Sequence, residues 1–401
     1  MYRRAYVLLI GVAATMAVLT FATALALDRS VVDPEGFLGP GWLRFPLLVG
    51  AALLVDLVPR ALWRARLNPR ETSVHIKERW HQHWTRERFT LVALGIGCFY
   101  VTYACYRNLK SFLPFVLGDK KYDNELHALD KVLFLGNDPS AVLHTLFGFV
   151  WFEQLISTIY LWYLPMVPVL VAIWVIWSRN ISFGYWFVTS QVIAWTLGTA
   201  SYYMLPALGP GFAFPWLYED ISTGASDLLE SLFYSRTNVL WGDGEGLQST
   251  AAFASLHTAI TLLWALMVQY TIRNRIIHWI FWANFGLTII ATLYFGWHYV
   301  ADDIAGAMIA IVAFYVGGVA SGQKFDRRGL TSHPTTTTSK VPLTEGGRDA
   351  DVRVEDPSDA SPEASRLRFP WSRRKRRGTA GADDGGATGS GTGSGAAGDP
   401  A

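Results

Sequence analysis

The chain has 401 residues, 51% hydrophobic, 14% aromatic and 16% charged, too little charge for a soluble enzyme, which carries about a quarter charged residues. Residues 1–320 balance 21 basic against 21 acidic side chains, which excludes a nucleic-acid footprint there, and the apolar content excludes a disordered or collagenous whole. Cys98 and Cys105 lie seven residues apart in one apolar run, roughly 10 Å along a helix, so neither a disulfide between them nor a cysteine-rich metal site is expected.

Eight stretches are long and apolar enough to cross a bilayer core of about 30 Å, which takes about 20 helical residues. They fall near 5–27, 41–59, 89–110, 150–177, 184–206, 254–272, 277–297 and 298–320. The expected fold class is all-α, a polytopic membrane helical bundle of about eight transmembrane helices with a disordered C-terminal tail. Residues 1–88 form two N-terminal spans and a basic cytoplasmic loop, 89–320 a six-helix membrane domain, and 321–401 the tail. The last two spans are nearly continuous, so Gly296, Trp297 and His298 must form a tight re-entry point.

The first span also resembles a cleavable secretory signal, with Arg3 and Arg4 before it and Ala24 and Ala26 near its end, but an apolar run of about 23 residues is long for one. Orientation follows the basic residues, which stay on the cytoplasmic side. Segment 60–88 carries eight basic residues against three acidic, and Arg179, Arg273 and Arg275 mark two further loops on that face. The opposite loops, 28–40, 111–149 and 207–253, hold five Lys or Arg between them, and 207–253 alone has six acidic residues. Both termini are therefore expected in the cytoplasm. Past Gly317 the composition turns to Thr, Gly, Asp, Arg and Ala, the mark of a disordered tail. In it Phe369, Pro370 and Trp371 precede the basic run Arg373–Arg377, which suits either the anionic cytoplasmic leaflet or a solvated charge run.

Most of the nine histidines have ordinary explanations. His75, His81 and His83 belong to the basic loop, while His127 and His144 lie in the outer 111–149 segment. His257 and His298 differ, because the topology puts both at non-cytoplasmic helix ends. Ser255 stands at a helix start, where its hydroxyl and free backbone N–H groups suit an anion. His298 and Asp302, at i and i+4, are expected on one helical face, the carboxylate holding one ring nitrogen while the other stays free as a nucleophile. A helix-surface hydrogen bond is the commoner explanation of any single such pair. Ionisable groups near the ends of membrane helices are costly unless paired or functional, which favours a site. Arg107 and Lys110, at i and i+3 near the outer end of 89–110, are candidate cations at the same level, with snorkelling to head groups as the alternative.

The Ser-Leu-His stretch at 255–257 and the His-Tyr-x-x-Asp stretch at 298–302 resemble the type 2 phosphatidic acid phosphatase superfamily. More narrowly, Leu256, Tyr299 and the stretch Leu205-Pro206-Ala207-Leu208-Gly209-Pro210 resemble its inositol phosphorylceramide synthase and sphingomyelin synthase branch, over roughly residues 90–320. Two phosphatase motifs are missing: there is no Lys-x6-Arg-Pro, and Ala291 and Thr292 stand where a Ser-Arg pair is usual.

The resemblance implies a catalytic membrane domain in which His298 takes a phosphoryl group from a phospholipid donor as a phosphohistidine, oriented by Asp302. His257 would protonate the leaving oxygen and then act as base on a lipid or envelope-glycan acceptor. Ser255, Arg107 and Lys110 would bind phosphate, with no metal, no cofactor and no nucleic acid involved. The implied activity is phosphotransfer, with phosphoinositol from phosphatidylinositol as one candidate group, at the plasma membrane and on its non-cytoplasmic face. A lipid phosphate or polyprenyl pyrophosphate phosphatase is the alternative enzyme. A transporter would instead carry ionisable groups near mid-membrane on broken helices.

Overall fold

A computed structural model describes residues 3–325, except 37–40, 67, 179, 243–245 and 249, together with residues 335 and 336. Among these residues the chain forms α1 (Arg3–Ala26), α2 (Gly41–Arg64), α3 (Pro69–His83), α4 (Arg86–Leu117), α5 (Asp123–Leu133), α6 (Pro139–Phe147), α7 (Val150–Trp177), α8 (Ile181–Met204), α9 (Pro210–Ala213), α10 (Gly224–Trp241), α11 (Leu256–Thr271), α12 (Arg275–Tyr294) and α13 (Val300–Ala320). Local sequence sets their starts. Asn68, Thr85, Asn180, Ser255 and Asn274 stand at N-caps and accept from a backbone N–H two or three residues on. Thr223 and Ser226 close a capping box at α10.

The fold is all-α, and six helices are long and apolar enough to cross a membrane: α1, the Pro46–Arg64 part of α2, α4, α7, α12 and α13. Length and composition single out these six, and the other two expected spans are inner members of the bundle. The segments 184–206 and 254–272 form α8 and α11, but α11 has only 16 residues and α8 carries the polar run Thr189, Ser190 and Gln191, all buried. The reason is their place in the bundle. Helix α8 packs against α1, α4, α7, α11 and α13, and α11 against α8, α12 and α13. A helix ringed by other helices needs no lipid-facing stripe and buries residues all round.

One end of the bundle is closed by buried charge. Asp56 of α2, fully buried, accepts from the Arg79 guanidinium at 3.0 and 3.1 Å and from the indole N–H groups of Trp84 (2.9 Å) and Trp177 (2.6 Å). The buried Arg88 donates to the carbonyls of Val175 and Ser178 at 2.9 and 2.7 Å, satisfying the last turn of α7.

The expected tail is corrected at its start. Ser182 Oγ donates to the Ser321 carbonyl at 2.7 Å, Phe325 packs on Trp186 and Phe314, and Gln323–Lys324 pairs antiparallel with Thr335–Thr336. These residues pack back onto α8 and α13 through the Phe325 ring and through the Ser182 hydroxyl, which also accepts from Gln323 Nε2. Residues 337–401, with the aromatic and basic cluster at 369–377, lie outside the described residues.

At the opposite end α12 turns into α13 through residues 295–299, the tight junction expected from the sequence. Gly296 takes φ +71°, and the Tyr218 ring occupies the space that a Cβ there would need. Further along α13, Gly306 crosses the start of α11 so closely that a Cβ would strike the Ser255 carbonyl. Gly306→Ala is expected to cost about 1–3 kcal/mol by overpacking and to prise α13 from α11. A lowered unfolding midpoint in detergent would register it, and an unchanged midpoint would contradict the close approach.

Candidate active site

The cap at Ser255 fixes where α11 begins and therefore where His257 points. The His257 ring stacks on Tyr160 at 4.3 Å and lies 4.0 Å from the Tyr163 ring, both on α7. His298 comes from the α12–α13 junction. Its backbone N–H and that of Trp297 both donate to the Thr292 carbonyl, at 3.3 and 2.9 Å. The two histidine rings end 6.2 Å apart between centroids. A phosphorus about 3–3.5 Å from one ring and an oxygen about 2.6–3.2 Å from the other fit that spacing.

His298 Nδ1 lies 3.3 Å from Asp302 Oδ2, and the same oxygen accepts the Tyr299 N–H at 3.0 Å. The geometry differs from the expected shared helical face. His298 precedes the N-cap residue Tyr299, so Asp302 reaches back from the first turn of α13 as a capping carboxylate. With its proton on Nδ1, shared with that carboxylate, the ring would keep the lone pair on Nε2; the Ala252 backbone also meets this ring.

Asp303 has a different task. Its two oxygens accept from Thr258 Oγ1 (2.5 Å) and Thr292 Oγ1 (3.0 Å), and the Ser255 N–H donates to the Asp302 carbonyl at 3.0 Å. These bonds lock α11, α12 and α13 together directly beneath both histidines. Sequence reasoning missed Asp303, Thr258 and Thr292; of the two adjacent acids Asp302 hydrogen-bonds His298, while Asp303 reaches it electrostatically from the threonine side.

The candidate phosphate ligands separate. Lys110 is 8% exposed, with Nζ 3.4 Å from the Tyr106 hydroxyl and 4.9 Å from the centre of the Tyr202 ring. No carboxylate among the described residues pairs with it, and it lies within electrostatic reach of both His257 and His298. Arg107 instead hydrogen-bonds Tyr103, which also meets Glu35. The Ser255 hydroxyl is engaged in its own cap, accepting from the Thr258 N–H at 3.3 Å and donating to Thr258 Oγ1 at 3.1 Å.

The acidic 207–253 segment is more than a connection. It contains α10, which puts Arg236 on the inward stripe with Leu229, Leu232 and Val239, half-buried and facing Asp123. The expected loop is thus in part a helix, and the spacing of Leu229, Leu232, Arg236 and Val239 is the signal that marks it.

Two further carboxylates come from α5. Asp123 accepts from the N–H groups of Leu208 and Gly209, both at 3.0 Å, and from the Tyr299 hydroxyl at 2.9 Å. Asp130, 2% exposed, accepts from the Val300 N–H at 3.1 Å. Burial raises the Asp130 carboxyl to about 7, with the Val300 N–H opposing and the Asp302 and Asp138 carboxylates adding to the rise. A carboxyl raised on folding stabilises fully below its unfolded value near 4, and that contribution is lost as pH climbs through about 7. Stability should therefore fall across that window, and Asp130→Asn should flatten the fall; an unfolding midpoint that tracks pH identically in both proteins would refute it.

Residues 124–316 match the family model of the PAP2 superfamily, whose members are phosphatases and phosphotransferases. No curated protein and no solved structure matches the chain. The matched range runs from α5 to α13 and so includes His257, His298, Asp302 and Asp303, while Lys110 and Arg107 lie before it.

Proposed function

We propose that the protein is a membrane phosphotransferase that moves a phospho-head group from a phospholipid donor to a hydroxyl on a lipid or envelope glycan. The observation that carries this is the facing pair of histidines 6.2 Å apart, one backed by Asp302 and both within reach of the buried Lys110. The PAP2 superfamily match supports chemistry on a lipid phosphate in general terms. The narrower inositol phosphorylceramide and sphingomyelin synthase reading rests on Leu256, Tyr299 and the 205–210 stretch.

In the first half-reaction His298 Nε2 attacks phosphorus, the bond to the diacylglycerol oxygen breaks, and His257 protonates that oxygen. The head group stays on phosphorus, now bonded to His298. In the second, His257 takes the proton of the acceptor hydroxyl, whose oxygen displaces His298. Proton and bond counts return to their starting values. Acid–base assistance of this kind contributes on the order of 10² to 10⁴, and the Lys110 ammonium stabilises charge developing on the phosphate oxygens. The basic loops collect at the far ends of these helices, which supports a reaction at the non-cytoplasmic leaflet, and the membrane of this proposal is the plasma membrane.

Hydrolysis of a lipid phosphate or polyprenyl pyrophosphate is the second reading, and one observation favours it. A cavity of about 10 Å³, lined in part by His127, Asp130, Asp138, Tyr218 and His298, is the size of one water molecule. Purified protein in lipid with inositol-labelled phosphatidylinositol separates the two. Transfer predicts diacylglycerol only when an acceptor is supplied, with label moving onto it; free inositol phosphate released regardless of acceptor would favour hydrolysis.

A further inference from the structure

Helix α5 has two faces with different partners. Its inner face carries Asp123, Leu126 and Asp130, which are 6%, 6% and 2% exposed. Through the two acids this short helix holds the backbone at 208–209 and the residues immediately after His298. Its outer side carries Leu129, Val132 and Leu133, followed by Leu135, which is 92% exposed. Glu125, in the first turn, is the charge on that side of the helix.

Such a face in a water-soluble protein would mark an interface with another protein. Here the exposed apolar surface continues along the chain through Phe149, Val150 and Trp151 into α7, one of the helices able to cross a membrane. Lys120 and Lys121, both exposed, stand just before α5, where they complement phosphate head groups. An apolar stripe beside a polar one, with basic residues at its edge, is the pattern of a helix lying in a membrane interface.

We propose that α5 lies on the phospholipid surface at the catalytic end, with Leu129, Val132, Leu133 and Leu135 seated below the head groups. Its acidic side then transmits the level of that surface to the catalytic segment. Asp123 and Asp130 are positioning residues in this scheme, acting through Tyr299, Val300 and the 208–209 backbone on His298. The lipid contact stands independently of the proposed reaction, whereas the positioning role rests on it.

The full chain, with Cys98→Ser and Cys105→Ala, is reconstituted in phosphatidylcholine–phosphatidylglycerol nanodiscs. A fluorophore is attached at Val132→Cys, Leu135→Cys or, on the polar side of α5, Asn124→Cys. Phospholipid carrying a shallow nitroxide should quench the first two strongly and the third weakly. Equal, weak quenching at all three positions would overturn the lipid contact, as would photo-crosslinking from position 132 to a second copy of the chain. For positioning, Val132→Ser with Leu135→Ser should lower kcat roughly tenfold in nanodiscs with KM little changed, as misplacement by a fraction of an ångström does. In detergent micelles the variant and the parent should be alike. Quenching with no kcat change in nanodiscs would overturn the positioning role alone. If the parent shows no transfer or hydrolysis at all, the proposed reaction fails while the quenching still decides the lipid contact.

Discussion

Replacing His298 with alanine is expected to reduce turnover by roughly 10⁴-fold or more, because no other group at the site can take its place as nucleophile. The protein should remain folded. The junction that presents His298 is held by backbone bonds to Thr292 and by the Asp302 carboxylate on the Tyr299 N–H, and none of these uses the imidazole. Asp302→Asn offers a finer cut. An amide oxygen can still accept from Tyr299, so the turn survives, but the charge that stabilises an imidazolium is gone and the ring tautomer is no longer enforced. A loss of about 10²–10⁴ is expected. His257→Ala should spare phosphohistidine formation from a donor with a good leaving group, which needs no acid. Acid-labile phosphate on the wild-type chain and on His257→Ala, but not on His298→Ala, is the decisive measurement; wild-type activity in His298→Ala would remove the nucleophile assignment.

Lys110→Met should lower kcat/KM for the donor by about 10²–10³, the scale seen when one preorganised group is taken from a transition-state charge. The thioether keeps the aliphatic stem between Tyr106 and Tyr202, so the packing is largely preserved. A second consequence separates this role from a structural one. A buried ammonium without a carboxylate is costly to the fold, so the same substitution should raise the unfolding midpoint while activity falls. Arg107→Ala should cost less, because that side chain is turned toward Tyr103. Unaltered donor kinetics in Lys110→Met would dismiss it as the phosphate cation.

Much of this was present in the sequence, and the limits have physical causes. Apolar length located the helices, and the basic segments arranged them so that His257 and His298 met at one end. The Gly296 junction was readable because two apolar runs left too few residues for anything but a sharp turn. Apolar content marked α8 and α11 as well, and their buried polar residues follow from being ringed by other helices. The i, i+4 spacing found the His298–Asp302 pair for the wrong reason, as the chain there is a capping turn. Asp123 and Asp130 resemble ordinary surface acids until the fold sets them under the backbone at 208–209 and 300. Lys110 and Arg107 look alike in sequence, each with a tyrosine four residues back on α4, and their surroundings part company through Tyr202 of α8 and Glu35 in the loop after α1.

Lys110 sits on α4, ahead of the matched range 124–316, and its carbonyl accepts from Gln248 Nε2 at 2.6 Å within that range. The boundary of the family likeness therefore runs through the proposed phosphate site. A fragment cut at residue 124 would keep both histidines and lose the cation between them and the donor. It would also strip α4 and α1 from α8, uncovering the side of α8 that those two helices keep from lipid. Such a fragment should neither insert stably nor turn over donor. Its partner for rescue would be residues 1–123 supplied as a separate chain, so the two pieces make a split enzyme whose activity reports their assembly in the bilayer.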